Sequence, residues 1–600
     1  MATKHILILG AGYGGLQAAK SLHKNLRKRD DVKISLIDQN DYHTLLTELH
    51  EVAGHGLDPH GVKVSIEHVL EYTKVDFIKD RIIGADLKEK KLYSEKAQYD
   101  FDYLIIGVGS EPAYFNIEGM EDYSLPLWSL EDARKIQRHI NHMFQLAVEE
   151  EDPKRRSEML TFVVGGGGFT GVEMMGELIV WVRNLCRKYD IPREEVRLVQ
   201  VEGLPHLCPF LDPKLIAKVE GYLRKKGVEV LTNSFITRVT PNSLTIGETS
   251  TIPARTLIWT GGVKANAFVE KLGISLGDRD RIVTNQYLQT REYPYVYAIG
   301  DNMEYHDRDD ERLPPLVETA IQSADCAAYN IAADIKGNEK KTLDPNLHGV
   351  MVSIGPLYSV AQLSGMPLMA GLHATLIKNL VNIHYLFGIG GLELTLDYIR
   401  HQFSYKSRRS TRLLQTGIGN VQRKNSTFWL LPLRVWLGLM WLVSGIQKVQ
   451  NDWWSSSWPL IGLTGSTDAT ASATITPLTG PHSPNWYKAI AERLIMPNAL
   501  FFQKLIVIVE IGLGIAFILG VFTFIAGLVS IGMHINFALG AGLPQTNGLP
   551  DLWWIAASIA MLAGAGRAFG MDYYIIPFLR NQLRYFQKNR RLNIQKGWKL

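Results

Sequence analysis

Two stretches of this 600-residue chain carry residue types and a spacing that bind a pyrophosphate. In Leu160–Glu177, LTFVVGGGGFTGVEMMGE, Gly166, Gly168 and Gly171 form G-x-G-x-x-G between an apolar strand pattern and a helix pattern. The first glycine permits the tight turn, the second lets the backbone approach phosphate, and the third lets helix pack closely on strand. The chain opens with the same device. Lys4–Leu16, KHILILGAGYGGL, places Gly10, Gly12 and Gly15 at that spacing, with Gly14 beside them. One such turn is a weak signal, but two, each with both flanks present, predict two bound dinucleotides.

A carboxylate stands where each ribose would lie. The predicted strand Val32–Ile37 ends at Asp38, and the strand Val196–Val201 ends at Glu202. A carboxylate there accepts hydrogen bonds from a ribose diol and repels a 2′-phosphate, so the second turn predicts NADH over NADPH, with His206 the nearest countering group. Farther along, Tyr103–Ser110 (YLIIGVGS) presents Gly109 at a strand end, and Trp259–Asn266 (WTGGVKAN) presents a glycine pair. Tyr295–Asp301 (YVYAIGD) ends in Gly300 and Asp301, which read as a clamp on a cofactor hydroxyl. Pro314 and Pro315 then precede a helix, Val317–Ile335, whose N-terminal dipole would face a reduced, anionic ring.

Together, GAGYGG, LHEVAG (Leu49–Gly54), VVGGGGFTGVE, WTGGV and YAIGD closely resemble the type II NADH:quinone oxidoreductases, single-subunit flavoproteins, over about residues 1–405. That resemblance implies noncovalent FAD on the first turn with Asp38 at its ribose and Asp301 at its ribityl chain. It implies NADH as substrate on Gly166, Gly168, Gly171 and Glu202, with Glu173 beside the nicotinamide. Hydride would pass to FAD and two electrons onward to a membrane quinone of the menaquinone or ubiquinone type. Family members often carry A-Q-x-x-x-Q where this chain reads Val317-Glu318-Thr319-Ala320-Ile321-Gln322. Glu318 therefore replaces a glutamine; a carboxylate accepts hydrogen bonds and relays protons but donates no amide hydrogen bond. Glu318 and Gln322 are the candidates on the quinone side, and no metal site is assigned.

The elements that position these groups predict an α/β protein: two Rossmann-like domains, with the NADH domain (114–289) inserted in the FAD domain (1–113 and 290–345). Residues 346–424 read as strands and an amphipathic, membrane-facing anchor. Its basic segment, 398–424, holds seven Lys/Arg and no acid. Beyond it, Phe428–Gln447, Leu500–Leu519, Val521–Leu539 and Leu552–Ala568 approach the roughly 20 residues a bilayer requires, predicting a four-helix transmembrane bundle similar to the DoxX family. Lys/Arg-rich ends predict both termini and the dinucleotide domains on the cytoplasmic side of the cell membrane. Within the spans, Arg434 and Lys504 are expected to snorkel, which leaves Glu510 and His534 as the informative ionisable groups.

Composition excludes other classes. A formal net charge of +4 gives no basic field, and no nucleic-acid motif occurs. Cys186, Cys208 and Cys326 are scattered, which fits a reducing compartment and argues against a disulfide or sulfide:quinone reductase. A membrane redox sensor reading NADH is the rival from another class, and the sequence leaves a homodimer open.

Overall fold

The computed structural model describes residues 3–307, 312–406, 430–462, 476–480, 483–541, 550–562, 564–567, 570–572 and 574–575. They form two compact units that divide between Arg423 and Lys424.

The first unit is built on two parallel five-stranded sheets of one plan. In the first, the strands run in the order Val296–Ala298, Tyr103–Ile106, Lys4–Leu9, Val32–Asp38, Val75–Lys79. The second runs Leu125–Pro126, Thr256–Trp259, Thr161–Gly165, Arg197–Val201, Val228–Leu231. All neighbours in both sheets are parallel. Helices cover both faces, so the central strands are near-continuous apolar runs; Ile6, Leu7, Ile8, Phe162, Val163 and Val164 are fully buried. In each sheet the strand that feeds the glycine turn lies between its sequential successor and a strand from much later. That switch of strand order opens the crevice where such folds bind ligands.

The inserted domain leaves and returns through one ribbon, because Ser110–Pro112 pairs antiparallel with Val263–Ala265. The return therefore falls well ahead of the boundary expected at 289. Residues between Leu276 and Thr290 bridge to one another and to Tyr297 in the first sheet. A helix over Val317–Lys336 packs beside the helix Tyr13–Leu26, with Gln17 Nε2 donating to Asp325 at 2.8 Å. Three antiparallel strands, Gly349–Ser353, Ser359–Leu363 and Met369–Gly371, lead into the helix Leu372–Lys406, which breaks at Gly391, φ 70°. Early in that helix the leucines face outward: Leu372, Leu376 and Leu380 are exposed, as is Phe387, whereas Lys378 is 8% exposed and Leu386 1%.

The second unit contains the helices Leu431–Gln450, Ala499–Leu519, Thr523–Ala541 and Pro550–Met561. Four spans were expected; among the described residues only Asn485–Leu519 and Thr523–Gly540 are long and apolar enough to cross a bilayer. Leu431–Gln450 has the length but carries Arg434, Gln447 and Lys448, and the fourth helix has 12 described residues. Residues 407–424 of the expected basic segment lie outside the described residues. Small residues let two helices meet: a Cβ on Gly438 would lie 2.8 Å from Ile518, and one on Gly514 2.7 Å from Leu442.

Arg434 does not snorkel. It is 1% exposed, donates to the Ala565 carbonyl at 2.8 Å, and has room because Gly520 and Gly570 lack side chains. Glu510 is fully buried and accepts from Lys448 at 2.8 and 2.9 Å and from Ser444 at 3.0 Å. His534 lies among Trp441, Phe537 and Trp554. Removing one partner of a buried ion pair strands the other, so Lys448→Met should lower the stability of the bundle by about 3–5 kcal/mol. Adding Glu510→Met should recover most of that loss. Tryptophan fluorescence during denaturation in detergent measures both, and equal stability of the single variant and the parent would refute the pairing.

Candidate active site

The two glycine turns are superimposable in design. Gly10 and Gly166 adopt φ near +100°, and a Cβ on Gly15 or Gly171 would lie within 2 Å of the carbonyl oxygen of Gly10 or Gly166. Any side chain at these positions would force helix from strand. The second glycines, Gly12 and Gly168, differ: a Cβ there would meet nothing within 4 Å. Each is the N-cap of a helix, Tyr13–Leu26 or Phe169–Tyr189, with no side-chain cap and no acid in its first turn. Open space before uncapped N–H groups at a positive dipole end suits a pyrophosphate, so both turns fit a dinucleotide.

Each strand-end carboxylate also grips its own turn. Asp38 Oδ2 accepts from Ala11 N at 2.7 Å and Oδ1 from Asn40 N at 2.7 Å. Glu202 Oε2 accepts from Gly167 N and Oε1 from Leu204 N at 2.7 Å. Burial raises the Asp38 pKa. His206 turns to Glu220, 3.5 Å away, and Phe235, which sequence reasoning passed over, lies against Gly203 and is 65% exposed. The Trp259–Ala265 stretch closes on the second turn, with Thr260 Oγ1 donating to Gly165 O at 2.9 Å.

On the other side of the unit, Asp301 Oδ2 accepts from Ser110 Oγ at 2.8 Å, and burial raises its pKa against Ser110 and Arg281. Gly300 N donates to Ser323 Oγ, and Gly109 N to Asn302 Oδ1. A cavity of about 1240 Å³ runs from here, lined by Thr170 and Glu173, Asp301, Val317 and Glu318, Lys378 and Tyr385. Gln322 is absent from its wall; both ends of its amide are bound to the backbone of Asn346, at 2.7 and 2.8 Å.

Glu173 sits past the first turn of its helix and is not a dipole complement. It accepts from Ser353 N at 3.1 Å and faces His50 Nδ1 at 3.4 Å. Around it the structure gathers groups that sequence reasoning left unassigned. Lys378 Nζ lies 3.4 Å from Glu48 and 3.6 Å from Glu51, and Asn382 donates to Glu48 at 2.6 Å. Burial alone would lower the Lys378 pKa; the carboxylates of Glu48, Glu51 and Glu173 outweigh it and keep the ammonium charged. Burial raises the Glu173 pKa to about 7, against the Lys378 charge and the Ser353 bond. The only available signals were a lysine inside an apolar helical run and the polar Leu49–Gly54 motif.

Next to the first turn, burial lowers the His43 pKa to about 4, so its ring is neutral. Its Nδ1–H then donates to Ala11 O at 3.2 Å and its Nε2 accepts from Tyr385 at 3.3 Å, tying the anchor helix to the glycine turn. The three cysteines are buried and free.

Two nucleotide folds, one inside the other, meeting at a cavity with buried acids and no reactive thiol pair, define a thiol-independent two-nucleotide oxidoreductase. The pyridine nucleotide-disulphide oxidoreductase family matches residues 4–324, and the TQO small subunit DoxD family matches 429–594. A type II NADH:quinone oxidoreductase of Staphylococcus aureus (strain bovine RF122 / ET3-1) is 32% identical over 399 residues, 65% of this chain and 97% of that protein. NDH2 of Plasmodium falciparum, solved with NADH, shares the fold at TM-score 0.60 and 18% identity, over 67% of this chain and 99% of that one. The sulfide:quinone oxidoreductase of Aquifex aeolicus shares it at 0.55 and 17%, over 64% and 91%. The chain belongs to the type II NADH:quinone oxidoreductases.

A carboxyl whose folded pKa is raised to about 7 is an acid below that pH and a carboxylate above it. As pH rises through 7, the buried cluster gains one negative charge. Rapid-mixing measurements of flavin reduction by NADH should therefore show a titration near pH 7 that Glu173→Gln abolishes. Persistence of that titration in the variant would assign it elsewhere.

Proposed function

We propose that this protein binds FAD on the Gly10–Gly15 turn and NADH on the Gly166–Gly171 turn, and that it reduces a membrane quinone without pumping protons. The observation that carries this reading is the single cavity that joins Thr170 and Glu173 of the NADH-domain helix to Asp301, Val317 and Glu318 of the FAD domain. Bound there, FAD supplies a carrier that takes hydride from NADH and gives two electrons to the acceptor. The protein's own part is to align and to hold charge. Asp38 and Glu202 position the two riboses, Asp301 holds the ribityl chain, and Ser353 and His50 fix the Glu173 carboxyl beside the nicotinamide. The start of the Val317–Lys336 helix faces the site and stabilises negative charge on a reduced ring.

The exposed Leu372, Leu376, Leu380 and Phe387 suit acyl chains, and the bundle adds a second attachment to the cell membrane, with both termini cytoplasmic. In the bundle, two buried acids are engaged locally: Glu510 with Lys448, and Asp572 with Thr523 at the start of a helix. This supports anchoring over proton pumping. A sensor that merely bound NADH would have no use for an acceptor cavity.

The direct test is purified protein, expected to be yellow, assayed with NADH and several quinones. Colourless but folded protein, or flavin reduced by NADH and never reoxidised by any quinone, would defeat the reading. Glu202→Arg should weaken NADH and improve NADPH, because guanidinium pairs with the 2′-phosphate that the carboxylate repels. An unchanged ratio of kcat/KM for the two nucleotides would remove Glu202 from the ribose. Truncation after residue 424 should leave turnover with a water-soluble quinone largely intact and impair it with a long-tailed quinone in vesicles. Equal loss with both would make the bundle part of the flavin site.

A further inference from the structure

Glu318, which stands where the resembled family often carries a glutamine, is paired with a second residue. Glu318 Oε2 accepts from the His348 backbone N–H at 3.0 Å, and Oε1 meets His348 Nδ1. One turn along the same helix, Gln322 binds the Asn346 backbone through both ends of its amide. The segment 346–348 is thus clamped to the helix, and the His348 side chain projects from it, 71% exposed, against 29% for the Glu318 side chain. Glu318 and His348 both line the cavity that holds Glu173 and Lys378.

A carboxylate on Nδ1 fixes the imidazole tautomer and leaves Nε2 as the nitrogen that gains and loses a proton. Among the described residues Nε2 has no hydrogen-bond partner. The stoichiometry requires a second proton. NADH supplies a hydride, which is two electrons and one proton, while a quinone becomes a quinol by taking two electrons and two protons. One proton must come from water. The inner acids and bases, Glu48, His50, Glu51 and Lys378, are each under 9% exposed, so they are poorly placed to collect it.

We propose that His348, positioned by Glu318, carries this second proton from water to the quinone. As the quinone oxygen gains negative charge, its O–H bond forms and the Nε2–H bond of the imidazolium breaks; the neutral ring then takes a proton from water. Glu318 is the positioning residue and His348 the donor. The assignment rests on the reading of the cavity as a quinone site.

The test uses the full-length holoenzyme in detergent with ubiquinone-1, and rapid mixing separates flavin reduction by NADH from reoxidation by quinone. His348→Gln should slow reoxidation about 100-fold, the lower end for loss of a general acid, with little change in the quinone KM. Imidazole added to the buffer should restore much of the rate, because the site is open to water. Glu318→Gln should slow the same half-reaction less. A second readout needs no turnover: diethyl pyrocarbonate should modify His348, detected by peptide mass, and ubiquinone-1 should protect it. Slowed reoxidation without rescue by imidazole and without protection would make the pair a structural clasp and overturn the proposal. Unchanged reoxidation in His348→Gln would overturn it while leaving the quinone reading intact. A parent enzyme that no quinone reoxidises would overturn both.

Discussion

The catalytic unit depends on one buried ammonium. Lys378 comes from the anchor helix, Glu48 and Glu51 from the segment that follows the second strand of the FAD domain, and Glu173 from the helix that follows the second glycine turn. An unpaired ammonium in so dry a place would be costly, and three carboxylates without it would repel one another. Each segment is therefore held by the charge of the others, and Ser353 bridges them by donating to Glu173 and lying within reach of His50 and Lys378. The ends of the two domains and the anchor meet at this point.

This cluster also explains the inside-out appearance of the anchor helix. Its periodicity was legible in the sequence, since Leu376, Ile377, Leu380 and Val381 recur at helical spacing. Periodicity identifies a face without saying which way the face points; that it faces a membrane was implied by the family resemblance alone. In a water-soluble helix the leucines would be buried, whereas here Lys378 occupies the interior and the leucines lie outside. The deciding information is held by Glu48 and Glu51, over 300 positions away, which no local pattern can supply. The glycine turns and their carboxylates were legible for the opposite reason. Turn, helix start and strand end are all local, and the chemistry of phosphate and ribose restricts the choice of residues at each.

Elsewhere, local rules failed where tertiary packing overrode them. Arg434 lies near a helix end, the usual place for a snorkelling side chain, yet the gap between Gly520 and Gly570 and the free carbonyl of Ala565 hold it inside. Gln322, a candidate on the quinone side by family resemblance, has its amide engaged by the Asn346 backbone, a contact that no local pattern shows. The departure at Glu318 was visible, and its partner was not: His348 lies 30 residues on, in a connection that carries no motif. The apolar runs of the second unit predicted helices correctly in four places, while length and apolarity support a membrane crossing in two of them.

The ribbon formed by Ser110–Pro112 and Val263–Ala265 has a consequence for the architecture's history and use. Its strands lie side by side, so the two ends of the NADH domain are separated by about 5 Å, one strand spacing. The host sheet is continuous across the gap, because Tyr103–Ile106 pairs directly with Val296–Ala298. A guest whose ends adjoin can be accepted or removed without disturbing the order of its host's strands. The guest repeats the host's own plan of strand, glycine turn, helix, strand and carboxylate, as a duplicated gene segment lodged within its parent would. The same joint makes the nucleotide module exchangeable, so a domain of different coenzyme preference could be grafted there with a single two-stranded ribbon as the seam.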